Sequence, residues 1–364
     1  MIIKKFCAEN FRNIEKCEIN FREGINILIG DNAQGKTNTA EGIYIFSRGR
    51  SQRTSDDDEL IKFGEEGFRI SVEYEDKNGT NTLEYARFGK DKRRKKNGYS
   101  VNKITEFVGN LRAVLFTPDD LSLVKGGPEE RRSFLNIAIS QHDPSYINLY
   151  SSYKKALENR NHILKQASKG FYYDENELRS WSNSLAEYAS YIYLQRYSYI
   201  EKLKKYTSLI MKDISEEKEE INIEYISDIE EFCEKRELIK KKYEEIFSSS
   251  EEREKAAGLT LFGPHRDDIK IEINGSLARS YSSQGQQRSV VLSMKLSEGE
   301  IIKEKIGEYP IYIFDDVLSE LDEGRQRYVL SGREGMQLII TACKMSDIIS
   351  EGVNIIKVEG GFYN

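Results

Sequence analysis

The residues best suited to chemistry in this chain stand together at positions 30–37. Gly30, Asp31, Asn32, Ala33, Gln34, Gly35, Lys36 and Thr37 fit the pattern G-x-x-x-x-G-K-[ST]. Glycines let a backbone loop close around phosphate oxygens, with successive N–H groups aimed inward. A lysine at the seventh position neutralises β- and γ-phosphate charge, and a threonine hydroxyl at the eighth can ligate Mg²⁺. That chemistry needs a strand before the loop and a helix after it, so that the helix N-terminus adds its dipole. Ile25 to Ile29 reads as the strand and Asn38 to Phe46 as the helix. A glycine turn with an incidental Lys-Thr would not need that setting.

A second constellation follows the apolar run Ile311 to Phe314, where Asp315 and Asp316 emerge at the end of a predicted buried strand. Ligands bind at that edge of parallel α/β sheets. Asp315 is expected to share the Mg²⁺ shell with Thr37, and Asp316 to polarise an attacking water. A third group, Ser282 to Gln287, opens a predicted helix. Alone it is ordinary capping chemistry. Placed before the Ile311 strand, however, the run Ser283 to Gln287, with Gly285 and Gln286 inside it, matches the Ser-x-Gly-x-Gln cap of ABC-type ATPases, which contacts the γ-phosphate bound by another subunit. Val317 to Asp322, ending in Leu-Asp, matches the D-loop that follows. Lys36, Ser283 and Asp316 are therefore the expected catalytic set.

Composition sets the frame for these motifs. The chain has 364 residues, 38% hydrophobic and 32% charged, a soluble globular profile with room for one large or two moderate domains. No stretch has the apolar length of a membrane span. Met1 to Lys5 runs into a strand-like pattern without a signal-peptide core, so a cytoplasmic location is expected. Cys7, Cys17, Cys233 and Cys343 form no Cys-x-x-Cys pair, and His142, His162 and His265 are scattered, which argues against zinc or a disulfide framework. The net charge of −6 argues weakly against nucleic acid. It hides a dense basic run at Lys90, Lys92, Arg93, Arg94, Lys95 and Lys96.

The elements that must position the motifs are legible in outline. Residues 1–125 read as strands with short connections, with hairpin signals at Asp76 to Gly79 and at Asn97-Gly98. From 129 to 215 apolar residues recur at three and four, the mark of long amphipathic helices. Residues 215–257 are rich in Glu and Lys, with one strand candidate at Ile221 to Ile226. Strands return from Leu259, with a turn at Asn274-Gly275, a helix from about Gln286 to Lys305, and parallel-type runs at Ile311 to Phe314 and Gln337 to Thr341. A mixed α/β unit thus looks split by a helical insertion.

Taken together, these motifs resemble the RecF family of ABC/SMC-type ATPases over nearly the whole chain. Asn10 to Ile14 resembles the Asn-Phe-Arg-Asn segment of such heads, where the pair at Arg12 and Asn13 reaches the nucleotide. Pro118 to Leu121, running on to Leu135, and Leu261 to Asp268 resemble segments that generic ABC ATPases lack. The resemblance implies an α/β fold: an ABC-type P-loop ATPase head (mixed sheet plus parallel core) from 1–125 and 258–364, with an inserted, mainly helical arm at 126–257. It implies ATP and Mg²⁺ as cofactors. Gly30 to Thr37, Thr39, Arg12, Asn13, Ser283, Gly285 and Gln286 would bind the nucleotide, and Thr37 and Asp315 the metal. It further implies weak, DNA-stimulated ATP hydrolysis tied to homodimerisation on double-stranded DNA, at gaps or single-strand/duplex junctions. RecR-like and RecO-like partners, recombinase loading, replication-linked repair within the SOS response, and a nucleoid-associated, membrane-free setting complete the expectation.

The sequence departs from the broader ABC pattern in three places. Asp316 replaces the usual Glu, one methylene shorter. No switch histidine follows Leu338 to Ile340, so Thr341 is expected at that position. No clear Q-loop glutamine is present. The basic run, at Lys92, Arg93, Arg94, Lys95 and Lys96, is the leading DNA contact, expected to project beside the Asn97-Gly98 turn; the alternative is a solvated hairpin tip. Gly263 to Asp268 either faces nucleotide or a partner, or fixes the arm to the head. Three other classes share part of the pattern. A transporter ATPase subunit would lack the insertion, a full SMC protein needs hundreds more coiled-coil residues, and a small-molecule P-loop kinase would not need the Ser283 cap.

Overall fold

The computed structural model describes residues 1–229, 232–332, 334–344 and 352–363. At its centre lies a six-stranded sheet in the order Phe362–Tyr363, Asn354–Glu359, Gly24–Ile29, Gln337–Ala342, Ile311–Asp315 and Ala113–Phe116. All pairings are parallel except the terminal hairpin. The inner strands read as unbroken apolar runs because both faces are covered. Their side chains divide with period two. Ile27, Val114, Phe116, Tyr312, Phe314, Leu338 and Ile340 join one core. Leu28, Ala113, Leu115, Ile311, Ile313 and Ile339 join the other.

The second core is closed by the helix Lys36–Arg48 and by an antiparallel sheet of six strands. That sheet runs Ile14–Asn20, Ile2–Phe11, Gly67–Asp76, Gly79–Phe88, Asp91–Lys96 and Tyr99–Ser100. Its hairpins fall where the turn residues stand. Asp76 pairs with Gly79, and Lys96 pairs with Tyr99 across Asn97-Gly98.

The first core is closed by the helices Gln284–Ile306, Pro128–His142, Ser145–Ala167, Glu175–Ser215 and Arg236–Ala257. The 41-residue helix Glu175–Ser215 buries Leu185, Ala189, Ile192, Tyr193, Arg196, Tyr199, Ile200 and Leu203, spaced at three and four. The expected division at 257/258 does not coincide with a break in packing. Ile221–Ile226, on the arm side, pairs antiparallel with Asp268–Ile273, on the head side. One continuous core joins residues from both. No helix among the described residues is long and apolar enough to cross a membrane.

Candidate nucleotide site

The loop 30–35 leaves the strand Gly24–Ile29 and enters the helix Lys36–Arg48. Two glycines are required by its geometry. A Cβ on Gly30 would collide with the carbonyl of Val358 on the neighbouring strand, and Gly35 has φ +112°. Lys36 is buried and folds over the loop, donating to the carbonyls of Gly30 at 2.6 Å and Asp31 at 2.7 Å. Its ammonium therefore sits where the loop closes. Gln34 accepts from the N–H of Gly360, and Thr39 lies beneath the loop, bonded to Gly35 O at 3.2 Å and to the Tyr363 hydroxyl at 2.8 Å. Thr39 thus braces the loop from below.

The metal-ligand expectation brings two side chains together. Thr37 Oγ1 lies 3.0 Å from Asp315 Oδ1, across the edge of the central sheet. Thr341 donates to the same oxygen at 2.7 Å. Asp315 is buried, and burial pushes its carboxyl pKa up despite the hydroxyls of Thr341 and Thr37. Among the described residues no cluster of three or more His, Cys, Asp or Glu could cage a metal. One hydroxyl and one carboxylate suit Mg²⁺, which keeps waters and takes its other ligands from substrate phosphates.

Asp316 stands beside this pair in a left-handed conformation, φ 58°. Its N–H donates to Thr341 Oγ1 at 2.9 Å. Thr341, expected at the switch position, is instead a buried clamp under the two aspartates. The exposed group near Asp316 is Cys343, whose thiol donates to Asn32 Oδ1 at 2.8 Å and lies 3.9 Å from both Asp316 Oδ1 and Lys36 Nζ.

Asn13 reaches the loop, donating to Ala33 O at 2.8 Å. Arg12 does not. Its guanidinium grips Glu41 of the phosphate-loop helix with bonds of 3.0 and 2.7 Å and donates to Glu59 O at 2.8 Å. Glu41 is fully buried and also takes Arg53 at 3.1 Å and Ser51 at 2.5 Å. Sequence reasoning missed Glu41, Arg53 and Tyr363. Only the four-residue spacing of Glu41 from Thr37, within one helix, hinted at the first.

Asp119 and Asp120 line a cavity of about 600 Å³ together with Thr37 and Asp315. Asp120 caps its own turn, accepting from Thr117 N at 2.7 Å, and faces Lys295 at 3.7 Å. Lys295 also pairs with Glu298 at 2.9 Å. Burial opposes its charge, but Asp120 and Glu298 outweigh that and hold its pKa above the ordinary lysine value. This trio, with Lys295 and Glu298 buried and Asp120 half-buried, ties the Pro118–Leu121 turn to the helix Gln284–Ile306. At that helix's N-terminus, Ser283 accepts from Gln286 N at 3.2 Å, and Gln286 Oε1 accepts from Ser283 N at 2.8 Å. Ser283 is exposed, and neither it nor Gly285 nor Gln286 lines the cavities at Asp315 and Asp316.

The basic run is a strand rather than a projecting tip. Lys92 pairs with Asp57 at 2.6 Å, Lys95 with Glu84 at 3.2 Å and Arg93 with Asp91 at 3.7 Å. Arg94 lies over the Tyr85 ring, 5.2 Å from its centre, and Lys96 donates to Asn110 at 2.5 Å. Gly263 to Asp268 sits at the junction of arm and head. Arg196 reaches Pro264 O at 2.5 Å and Asp267 at 3.4 Å, and Tyr153 bonds His265 at 2.7 Å.

Comparison with known proteins places the chain in a family and a fold. The family model for the RecF/RecN/SMC N-terminal domain matches residues 2–360. The chain is 39% identical to the DNA replication and repair protein RecF of Exiguobacterium sp. over 98% of this chain and 96% of that protein. It is 38% identical to RecF of Bacillus velezensis over 99% of each. A solved structure of the recombination mediator protein RecF-ATP in the RecFOR pathway superposes with a TM-score of 0.91 at 37% identity, covering 100% of this chain and 97% of that one. The Smc head domain from Pyrococcus furiosus, at 17% identity and TM-score 0.56, shares the fold.

Proposed function

The chain belongs to the RecF family, and we propose that it is an ATP-dependent DNA-binding protein of recombinational gap repair. In that role it dimerises with MgATP on double-stranded DNA, is released by slow hydrolysis, and works with RecR-like and RecO-like proteins to support recombinase loading. The RecF-ATP relative of the RecFOR pathway, similar over the whole chain, supports the nucleotide and the pathway. The ABC/SMC head fold supports ATPase chemistry.

Each local step belongs to a named side chain. The N–H groups of the loop 30–35 and the Lys36 ammonium receive the β- and γ-phosphates. When bound, Mg²⁺ supplies charge neutralisation at those oxygens, and Thr37 and Asp315 would hold it. Asp316, presented by its left-handed backbone, orients and polarises the attacking water. Thr341 holds Asp315 and Asp316 in register from beneath. An Asp in place of Glu shortens the reach to the water and suits slow turnover.

The observation that carries dimerisation is the exposure of the capping serine, outside the cavities at Asp315 and Asp316. Ser283 is bonded only within its own helix start. A second copy related by a two-fold axis would bring its Ser283 cap over the first copy's γ-phosphate, and reciprocally. Loss of that phosphate would then loosen the pair. Duplex DNA would be held through its phosphates, independent of sequence and sensitive to salt.

Mass measurement in solution, with and without MgATP, tests this. The wild-type chain should double its mass with MgATP, and Ser283→Arg should remain single while still binding nucleotide. Ser283→Arg association equal to wild type would remove the shared-site mechanism.

A further inference from the structure

The phosphate-loop helix has a second end. Lys36 opens it at the nucleotide, and about 18 Å away, by the rise of an α-helix, it closes with Arg48, followed by Gly49 and Arg50. There a cavity of about 830 Å³ opens between this helix end and the arm helices Pro128–His142 and Ser145–Ala167. Arg48, Arg50, Arg132 and Lys154 line it, against one carboxylate, Glu129.

These cations differ from Lys92, Arg93 and Lys95 of the basic strand in having no acidic partner. Among the described residues, Arg48, Arg50 and Lys154 have no acidic partner within ion-pair distance, and Arg132 donates only to the neutral carbonyl of Asp267 at 2.8 Å. Arg48 Nε is buried with no hydrogen-bond partner. Burial lowers the Arg48 pKa, and the charge of Arg50 adds to the lowering. A half-buried guanidinium with an unpartnered Nε, beside a second guanidinium, is costly unless an anion completes it. Arg50 and Lys154 are exposed at the rim, while Arg48 and Arg132 are recessed. The basic strand, by contrast, already spends Lys92, Arg93 and Lys95 on Asp57, Asp91 and Glu84.

Resting on the DNA-binding function proposed above, we propose that this cavity, and not the basic strand, receives the backbone phosphates of duplex DNA. Arg50 and Lys154 meet the phosphates first, and Arg48 and Arg132 complete the contact. The same helix then carries nucleotide phosphates at one end and DNA phosphates at the other, which gives the two ligands one rigid element in common.

The test is a titration of a fluorescent duplex with the full-length chain and MgATP across a salt series. Arg50→Glu/Lys154→Glu is compared with wild type and with the matched pair Lys90→Glu/Arg93→Glu. All four positions are exposed, so folding should survive, and binding of a fluorescent ATP analogue serves as the check. The cavity pair is expected to weaken duplex binding tenfold or more and to flatten the salt slope by about 1.8, two phosphates at ~0.9 each. The strand pair should stay near wild type. Wild-type affinity and slope in the cavity pair would overturn the assignment. So would displacement of duplex from wild type by millimolar inorganic phosphate, beyond chloride at equal ionic strength and abolished in the cavity pair, because the cavity would then be a free-phosphate site. Absence of duplex binding by the wild-type chain is a different failure, and it would fall on the proposed function itself.

Discussion

Arg131 holds Asp268 with two parallel hydrogen bonds, Nε to Oδ1 at 2.6 Å and Nη2 to Oδ2 at 2.9 Å, across 137 residues of sequence. The segments 118–135 and 261–268 therefore grip one another. Arg132 adds a bond to the carbonyl of Asp267, and Arg131 also donates to Gly126 O at 2.9 Å. The pair is largely buried, with Arg131 8% and Asp268 26% exposed.

A planar fork cannot be replaced by a point charge here. Arg131→Ala should cost about 3 kcal/mol, because Asp268 is left partly buried and unpaired. Arg131→Lys should recover less than half of that. Urea unfolding of the two variants checks the order. A lysine variant as stable as wild type would mean that charge alone, not the fork, holds the junction.

Thr341 makes a different kind of contact, one hydroxyl serving two aspartates. Thr341→Val keeps the shape and removes both bonds. It should cost about 1–3 kcal/mol of stability and reduce ATP hydrolysis more than ATP binding, since Asp316 loses its backbone anchor. Thr341→Ser should retain both properties. Steady-state hydrolysis measured beside nucleotide affinity separates these effects; equal loss of both in Thr341→Val would contradict a clamping role.

Glu41 is the buried hub that fixes Arg12 and Arg53 to the phosphate-loop helix. Its removal leaves Arg12, only 15% exposed, without a counter-charge. Glu41→Ala should therefore destabilise by about 3–5 kcal/mol. The double variant Glu41→Leu/Arg12→Leu should lose less than the sum of the single changes. Additive losses would show that the two side chains do not act as a pair.

The sequence yields what is local and withholds what is folded across distance. Strand, loop and helix around Lys36, the paired aspartates at a strand end, and the Ser283 cap each rest on a short pattern with one physical meaning. The Asn97-Gly98 and Asn274-Gly275 turns are legible for the same reason, as both residues of each adopt positive φ. Arg12 is expected at the nucleotide from the resemblance of Asn10 to Ile14 alone, and nothing in its neighbourhood announces Glu41, 29 residues later. The basic run is expected to project because it stands beside the Asn97-Gly98 turn. Only pairing with Leu83–Phe88 reveals a strand on which Lys92 and Lys95 find an acid, and Arg94 a ring, from other segments. Thr341 and Cys343 stand two apart on the last inner strand and its end, and only the register of that strand decides which one turns toward Asp315.

His265 gives the junction a pH dependence whose sign follows from its bonds. Nε2 lies 3.2 Å from Thr260 O, a carbonyl that can only accept, so Nε2 carries the proton. Nδ1 is then free to accept from the Tyr153 hydroxyl at 2.7 Å. Both nitrogens are satisfied in the neutral ring, and burial pushes the imidazole pKa down to about 4, with the nearby charges of Arg266, Arg132 and Arg196 acting in the same direction. The unfolded chain binds a proton near the ordinary value of about 6.5, so between that and about 4 it holds more protons than the folded chain. Stability contributed by neutral His265 is therefore complete above about pH 6.5 and is lost as pH falls through that window, up to roughly 3 kcal/mol. Asp267, raised to about 6 chiefly by burial, acts oppositely, since its contribution declines as pH rises from about 3.8 to about 6. His142, lowered to about 4 mainly by burial, acts with His265. The comparison that isolates one ring is wild type against His265→Asn, unfolded in urea at several pH values between about 7.5 and about 4.5. The wild-type advantage should be largest at the upper end and shrink steadily on acidification. A gap that does not change with pH would show that His265 titrates alike in the folded and unfolded chain, and burial would then not be what keeps it neutral.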